Sequence, residues 1–163
     1  MKRLAVLIVA TLEQVGAVMA APKMVQQTGD WGVYSYDRNG RTTCYALSIP
    51  KDVKPADVDH GQNYFLIAPA EKDGRDEPEA IMGYDLKAGS MVQVSVGDQT
   101  FRMFTKENTA WVDDTAREPE LIKAFRAGSR MTLEAMSARG THTTYVYSLD
   151  GVTAALDRVA RCK

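Results

Sequence analysis

The 163-residue sequence predicts an all-β protein, a mainly antiparallel β-sandwich or flattened barrel, with two short helices of which the last is at the C-terminus. Three observations predict this fold class. Aromatic and β-branched residues recur in short alternating runs between turn-forming residues, as in strands. Helical periodicity appears only in two short segments late in the chain. The sequence lacks the regular alternation of strand and helix that a parallel sheet requires.

The first predicted element is a β-hairpin in "WGVYSYDRNGRTTCYALSI" (31–49). Two strand-like runs flank Asn39-Gly40, and Asn-Gly favours the type I′ turn, in which both central residues have positive φ. Cys44 lies on the second strand. Pro50 ends that strand, and "KDVKPADVDHGQ" (51–62) is predicted to be a polar loop.

The middle of the chain alternates between apolar runs and charged turns. "NYFLIAPA" (63–70) predicts a buried strand, and the charged turn "EKDGRDEPE" follows it. "AIMGY" (80–84) predicts another strand, which ends at the turn "DLKAGS". "TAWVDD" (109–114) predicts a short strand that carries Trp111.

The segment "MVQVSVGDQTFRMFT" (91–105) predicts a second hairpin with a turn at Gly97-Asp98. Phe101 and either Met103 or Phe104 are expected to point inward from its second strand. The alternation of its first strand places three valines on one face: Val92, Val94 and Val96.

Two helices and a third hairpin complete the predicted fold. "REPELIKAFRAGS" has Pro119 in its first turn and Gly128 as a C-terminal cap. "RMTLEAMSARGTHTTYVYSL" predicts a hairpin around Arg139-Gly140. Asp150 is expected to cap the last helix. The apolar stripe of that helix is formed by Val152, Ala155, Leu156 and Val159.

The N-terminus, "MKRLAVLIVATLEQVGAVMAAPK", has the order of a secretory signal: two basic residues, an apolar run and small residues. Val18 and Ala20 suit the peptidase subsites, so we expect residues 1–20 to be a cleavable signal peptide and 21–163 to be a single β-rich domain. A retained anchor is the alternative, but Glu13 and Gln14 interrupt the apolar run, and a span takes about 20 apolar residues. Nothing later in the sequence is long and apolar enough to span a bilayer.

An exported protein folds where disulfides form, and this chain has two cysteines, Cys44 and Cys162. We therefore expect an intrachain disulfide that holds the C-terminal helix on the first hairpin. Two buried thiols or an intermolecular link are the alternatives. The expected location is periplasmic or secreted, in a Gram-negative type of envelope.

Charge gives no reason to expect a nucleic acid partner. The formal net charge of the whole chain is −1, and it becomes −2 without residues 1–20, which carry Lys2, Arg3 and Glu13. Binding to nucleic acid or to an anionic membrane relies on an excess of basic residues. The sequence predicts no oligomeric state.

The sequence also offers few residues for chemistry. His60 lies in the predicted polar loop near Asp57 and Asp59, and His142 lies in the third hairpin. We expect neither metal binding nor a cofactor, because such a loop cluster is usually solvated. No serine lies in a nucleophile-elbow sequence. The serines considered are Ser48, Ser90, Ser95, Ser129, Ser137 and Ser148.

Five aromatic residues in the predicted strands could form a binding surface, although aromatic residues in strands more often belong to the core or to cross-strand pairs. They are Trp31, Tyr34, Trp111, Tyr145 and Tyr147.

Several phrases, in this order and spacing, resemble the Invasion associated locus B family of exported bacterial proteins. They are "GDWGVYSYDRNGRTTCYALSIPKDVKP", "IMGYDL", "TAWVDD", "LIKAFRAGSRM" and "SARGTHTTYVYSLDGVTAALDRVARC". The resemblance runs from Gly29 to Cys162. It implies a small all-β periplasmic or envelope protein without established enzymatic activity, in a family named for a member linked to host-cell invasion. It also supports the Cys44–Cys162 bridge, whereas Ser35 stands where other members carry an additional cysteine.

Three functional hypotheses follow. The first is a non-catalytic exported β-domain that binds an envelope or host-surface component, with no catalytic residues. The second is a small periplasmic hydrolase whose dispersed site surrounds His60 or His142; a histidine in a deep cleft beside a serine or carboxylate would favour it. The third is a periplasmic inhibitor or envelope-stability protein, which would expose an apolar patch or an open sheet edge.

Overall fold

The computed structural model describes residues 21–38 and 40–162; the predicted signal peptide, 1–20, lies outside the described residues. The described chain forms strands and two α-helices, joined by short turns. The strands are β1 (Lys23–Thr28), β2 (Trp31–Arg38), β3 (Arg41–Ser48), β4 (Asp52–Lys54), β5 (Tyr64–Pro69), β6 (Asp76–Ile81), β7 (Met91–Val96), β8 (Gln99–Lys106), β9 (Thr109–Val112), β10 (Arg130–Met136) and β11 (His142–Ser148). The helices are α1 (Glu118–Ala127), which follows a 3-10 turn (Thr115–Arg117), and α2 (Val152–Ala160).

The strands pair antiparallel in the order β1-β2-β3-β5-β6-β9-β8-β7-β10-β11-β4. The sheet does not close on itself and folds over into a sandwich-like structure, which confirms the predicted fold class. All three predicted hairpins form. In the first, Arg38 faces Arg41; in the second, Val96 faces Gln99. Asn39, in the predicted type I′ turn, lies outside the described residues.

Two backbone hydrogen bonds join the residues on either side of the first hairpin to β11 and to the residue that follows Leu149. The Asp30 N–H donates to the Asp150 carbonyl over 3.0 Å, and the Lys51 N–H donates to the Val146 carbonyl over 2.7 Å. The buried Trp31 indole also donates to the Ser148 carbonyl, over 3.0 Å. These bonds hold the two halves of the long sheet together around one core, which contains the inward residues of nearly every strand.

The structure adds two strands to the prediction. β1 pairs with β2, but its side chains are mostly exposed, so its sequence lacks the apolar alternation that identifies a half-buried strand. β4 lies inside the predicted polar loop and pairs with β11, where Val53 faces Tyr145. In both cases the neighbouring strand, rather than a local pattern, makes the segment a strand.

Two local predictions are wrong. The strand predicted at "AIMGY" begins earlier, at Asp76, and ends at Ile81. Helix α2 is capped by Gly151 rather than Asp150, with no side-chain cap. Gly151 has a φ of +86°, and a Cβ at this position would lie 1.9 Å from the Thr28 carbonyl oxygen. The close approach of the β1–β2 turn therefore requires glycine here.

A disulfide links Cys44 on β3 to Cys162 after α2, with the two Cα atoms 5.8 Å apart, as the sequence predicts. Helix α2 packs against β1, β2 and β3, so the bond reinforces an existing contact. At the other helix, Arg75 pairs with the buried Glu118 at the start of α1. Neither described helix has the length and apolar character needed to cross a membrane.

Candidate binding surface

The two histidines lie in different environments. His142 is exposed at the start of β11. His60 is buried, and both of its ring nitrogens are engaged: Nδ1 lies 2.8 Å from the Tyr145 hydroxyl and Nε2 lies 2.7 Å from the Pro55 carbonyl oxygen. Because a carbonyl oxygen only accepts, Nε2 carries a hydrogen.

The contact between His60 and Tyr145 begins a hydrogen-bond chain that runs from the buried His60 to the half-buried Tyr84. The Tyr145 hydroxyl lies 3.0 Å from that of Tyr84, which lies 2.6 Å from the Thr143 hydroxyl. Burial is the main cause that raises the pKa of Tyr145 above its usual value, and the hydrogen bond with Tyr84 adds to it. The hydrogen-bond chain joins the β4–β5 loop to β11.

No described serine or carboxylate forms a hydrogen bond with His60 or His142, so the geometry gives the hydrolase hypothesis no support. In the predicted loop cluster, the Asp59 carboxylate accepts a hydrogen bond from the Gly61 N–H over 2.9 Å. Among the described residues, no three side chains of the types that bind metals converge on one point.

The five aromatic residues named from the sequence separate into two groups. Trp31, Tyr145 and Tyr147 are fully buried in the core. Tyr34 and Trp111 lie on the opposite, outward side of the sheet and are half-buried. Of the five aromatic residues considered for a binding surface, only Tyr34 and Trp111 therefore lie on the surface.

Tyr34 and Trp111 belong to a larger surface, here called the aromatic face, which covers the outward side of β2, β3, β5, β6, β9 and β8. Part of it forms a shallow groove of about 550 Å³. The groove is lined by Tyr34, Tyr36, Tyr45, Leu47, Tyr64, Leu66, Ala68, Glu79 and Ile81, and the face continues to Trp111 and Phe104.

Strand pairing places the aromatic residues of this face opposite one another. Tyr34 faces Tyr45 across β2 and β3, and their rings stack with centroids 5.6 Å apart. Trp111 faces Phe104 across β9 and β8, and their rings stack with centroids 5.7 Å apart. Phe104 is 42% exposed. Large aromatic side chains thus lie at both ends of a continuous outward surface.

Glu79 lies near the middle of the aromatic face. It faces Leu66 on β5 and Trp111 on β9. No described residue forms a hydrogen bond or an ion pair with its carboxylate. Burial raises the pKa of Glu79 above its usual value, and the nearby charge of Glu77 raises it further. An acidic group in an apolar surface without a counter-charge is costly, so it is a candidate for ligand recognition.

The sheet edges are less suited to binding than the face. β1 exposes Met24 and Val25, but a β-bulge interrupts its register between Met24 and Gln26. β4 has three residues, Asp52–Lys54, and Pro55 follows it. Bulges, short strands and proline all hinder the addition of another strand.

Sequence reasoning missed Tyr36, Tyr45, Tyr64 and Glu79. The signal was present in "YSY" and "CYALS", where tyrosine alternates with small residues or with Cys44. Alternation separates two faces of a strand, but pairing with the neighbouring strands decides which face is outward.

Comparison with known proteins is consistent with this fold. The crystal structure of invasion associated protein b from Bartonella henselae is similar, with a TM-score of 0.63 and 14% sequence identity, over 86% of this chain and 95% of that chain. No curated protein sequence matches the chain. The family model described as Invasion associated locus B (IalB) protein matches residues 31–160, which is most of the chain. The chain therefore belongs to the Invasion associated locus B family.

Proposed function

We propose that this protein is a non-catalytic, exported domain that binds an envelope or host-surface component through the aromatic face. The observation that carries the proposal is the continuous outward surface between the Tyr34–Tyr45 and Trp111–Phe104 stacks. Large exposed apolar surfaces with polar groups among them are typical of interaction sites. Tyrosine and tryptophan are the residue types enriched at such sites.

Export is the second part of the proposal. Residues 1–20 act as a cleaved signal peptide, and residues 21–163 form the mature domain. The disulfide between Cys44 and Cys162 supports an oxidising compartment, such as the periplasm. The envelope association of the family supports the same location.

A non-catalytic role is supported by the engagement of both ring nitrogens of His60 and by a family that is not a known enzyme family. A partner could bind on the aromatic face or add a strand at a sheet edge. The bulge in β1 and the shortness of β4 hinder strand addition, so they favour binding on the aromatic face. The name of the Bartonella henselae protein, invasion associated, supports host contact as one setting in which this surface acts.

Tyrosine nitration tests whether the aromatic face is covered in the cell. In the purified protein, the half-buried groove tyrosines Tyr34, Tyr36, Tyr45 and Tyr64 are expected to react, whereas the buried Tyr147 is not. In intact cells of the source bacterium, or during contact of those cells with host cells, we expect selective protection of the groove tyrosines.

Tyr84 lies outside the groove and is the internal control for reagent access. The proposed binding function predicts that Tyr84 is nitrated equally in the purified protein and in cells. Equal nitration of the groove tyrosines in the purified protein, in cells and during host contact would contradict the proposal.

A further inference from the structure

Glu79 is the one charged residue among the tyrosine and aliphatic residues that line the groove. Its neighbours across the strands are Leu66 and Trp111, and no described side chain supplies a counter-charge. The adjacent outward carboxylate, Glu77, differs because Arg75 lies 3.7 Å from it. The carboxylate in the groove is therefore unpaired among the described residues, whereas its neighbour on the same strand is paired.

Aromatic rings stand on both sides of this unpaired carboxylate. Trp111 is its direct neighbour on β9. The stacked Tyr45 and Tyr34 lie on β3 and β2, two and three strands away, about 10 and 14 Å at ordinary strand spacing. The faces of indole and phenol rings carry partial negative charge and attract cations. Carboxylate and rings together form a surface that is complementary to a positive group.

The basic residues on this side of the sheet lie at its margins or pair with other carboxylates. Arg102 on β8, for example, lies 4.0 Å from Asp113. Lys106 faces Thr109 at the ends of β8 and β9, and Arg41 is next to the turn of the first hairpin. Neither forms a described ion pair with Glu79. Among the described residues, Glu79 therefore has no complementary charge.

Resting on the proposed binding function, we propose that the groove takes a lysine or arginine side chain of a partner protein, with its cation beside Glu79 and its stem on the tyrosines. The long aliphatic stem of these residues suits an apolar groove, and their charged head pairs with a carboxylate. A neutral glycan would also stack on tyrosines, but it would leave Glu79 without a counter-charge. Charge complementarity therefore favours the cationic protein segment.

Peptide titration tests this assignment with a defined probe. The probe is the acetylated and amidated peptide Gly-Ser-Arg-Ser-Gly, and its analogue carries citrulline, which has nearly the shape of arginine but no charge. Binding is followed by amide NMR shifts and by the change in tryptophan fluorescence. The change reports on Trp111, because Trp31 is buried in the core and does not contact the peptide. We expect the arginine peptide to bind at least about fivefold more tightly than the citrulline peptide.

Two matched variants separate a site from general charge attraction. Glu79→Gln is expected to lower the affinity for the arginine peptide by about five- to tenfold. Glu134→Gln removes the same charge from the exposed side of β10 and is expected to leave binding unchanged. Equal affinity for the two peptides, or an unchanged affinity in Glu79→Gln, would overturn the inference.

A neutral trisaccharide of N-acetylglucosamine is the second probe. Saturable binding of this sugar, without a preference for the arginine peptide, would overturn the cationic partner in favour of a glycan. If the groove tyrosines are protected in cells but the arginine peptide does not bind, the binding function stands and the cationic partner is wrong. If there is neither protection nor peptide binding, both are wrong.

Discussion

Glu79 and Trp111 face one another across β6 and β9, which places an unpaired carboxylate beside an indole ring on the outward side of the sheet. The carboxylate loses hydration there and receives no compensating partner among the described residues. A folded protein retains such a costly group where function depends on it. The Glu79–Trp111 pair is therefore central to the proposed binding site.

The first prediction concerns stability at different pH values. The folded-state pKa of Glu79 is raised, so the folded protein favours the protonated form. Stability is therefore greatest below the unfolded pKa and falls as pH rises to the folded pKa. Glu79→Gln should thus stabilise the protein at pH 7, by less than about 1 kcal/mol because the site is partly solvated.

Urea unfolding of both proteins at several pH values checks this prediction. The difference between wild type and Glu79→Gln should disappear as the pH falls below about 4, where Glu79 is protonated in both states. Glu134→Gln, at an exposed position, should show no comparable gain at pH 7. A lower stability of Glu79→Gln at neutral pH would mean that the carboxylate has a stabilising partner.

The second prediction is that the same substitution has opposite effects at two core tyrosines. Tyr145→Phe removes the hydroxyl that contacts His60 and Tyr84, so it should lower the free energy of unfolding by about 1–3 kcal/mol. The buried hydroxyl of Tyr147 has no hydrogen-bond partner among the described residues. Tyr147→Phe removes an unsatisfied polar group at little cost in shape, so it should raise stability by about 1 kcal/mol.

Both variants can be measured by the same chemical denaturation series, and each serves as the control for the other. The hydrogen bonds of the Tyr145 hydroxyl and the unpaired state of the Tyr147 hydroxyl among the described residues predict changes in stability of opposite sign. A loss of stability in Tyr147→Phe would show that its hydroxyl has a bound partner, such as an ordered water.

The third prediction concerns the disulfide. Cys44 and Cys162 are separated by 118 residues, and a cross-link over such a distance is worth on the order of 4–5 kcal/mol in the chain-entropy model. Cys162→Ser should therefore lower the guanidinium midpoint and make the end of α2 sensitive to protease.

The reduced wild-type protein and Cys44→Ser are the controls for this experiment, since each removes the same bond. All three should lose similar amounts of stability. An unchanged midpoint in Cys162→Ser under oxidising conditions would show that packing of α2 on the first sheet strands is sufficient without the bond.

The sequence predicts those elements whose signals are local. The sequences Asn39-Gly40 and Gly97-Asp98 predict two of the hairpins, since short turn sequences of this kind favour hairpin loops. The pattern of Pro119 and Gly128 locates α1. β1 and β4 were not predicted because neither carries an alternating apolar pattern; their strand conformation depends on pairing with β2 and β11.

The candidate site depends on long-range packing, so the sequence predicted only part of it. Tyr34 and Tyr145 look alike in sequence, since both lie in alternating aromatic strands, but only the folded sheet separates outward from inward. Similarly, His60 lies in a polar segment and is buried because Tyr145, 85 residues later, contacts its ring. The pairing of Glu79 with Trp111 also joins distant segments.

The most direct test of the aromatic face as a binding surface is site-specific photocrosslinking in the source bacterium and during its contact with host cells. A photoreactive amino acid replaces Tyr45 in the groove or, as the control, Glu134 on the exposed side of β10. If the aromatic face binds a partner, position 45 gives a discrete crosslinked product that is missing from position 134. No discrete product from position 45 in either setting, or the same products from both positions, would contradict this prediction.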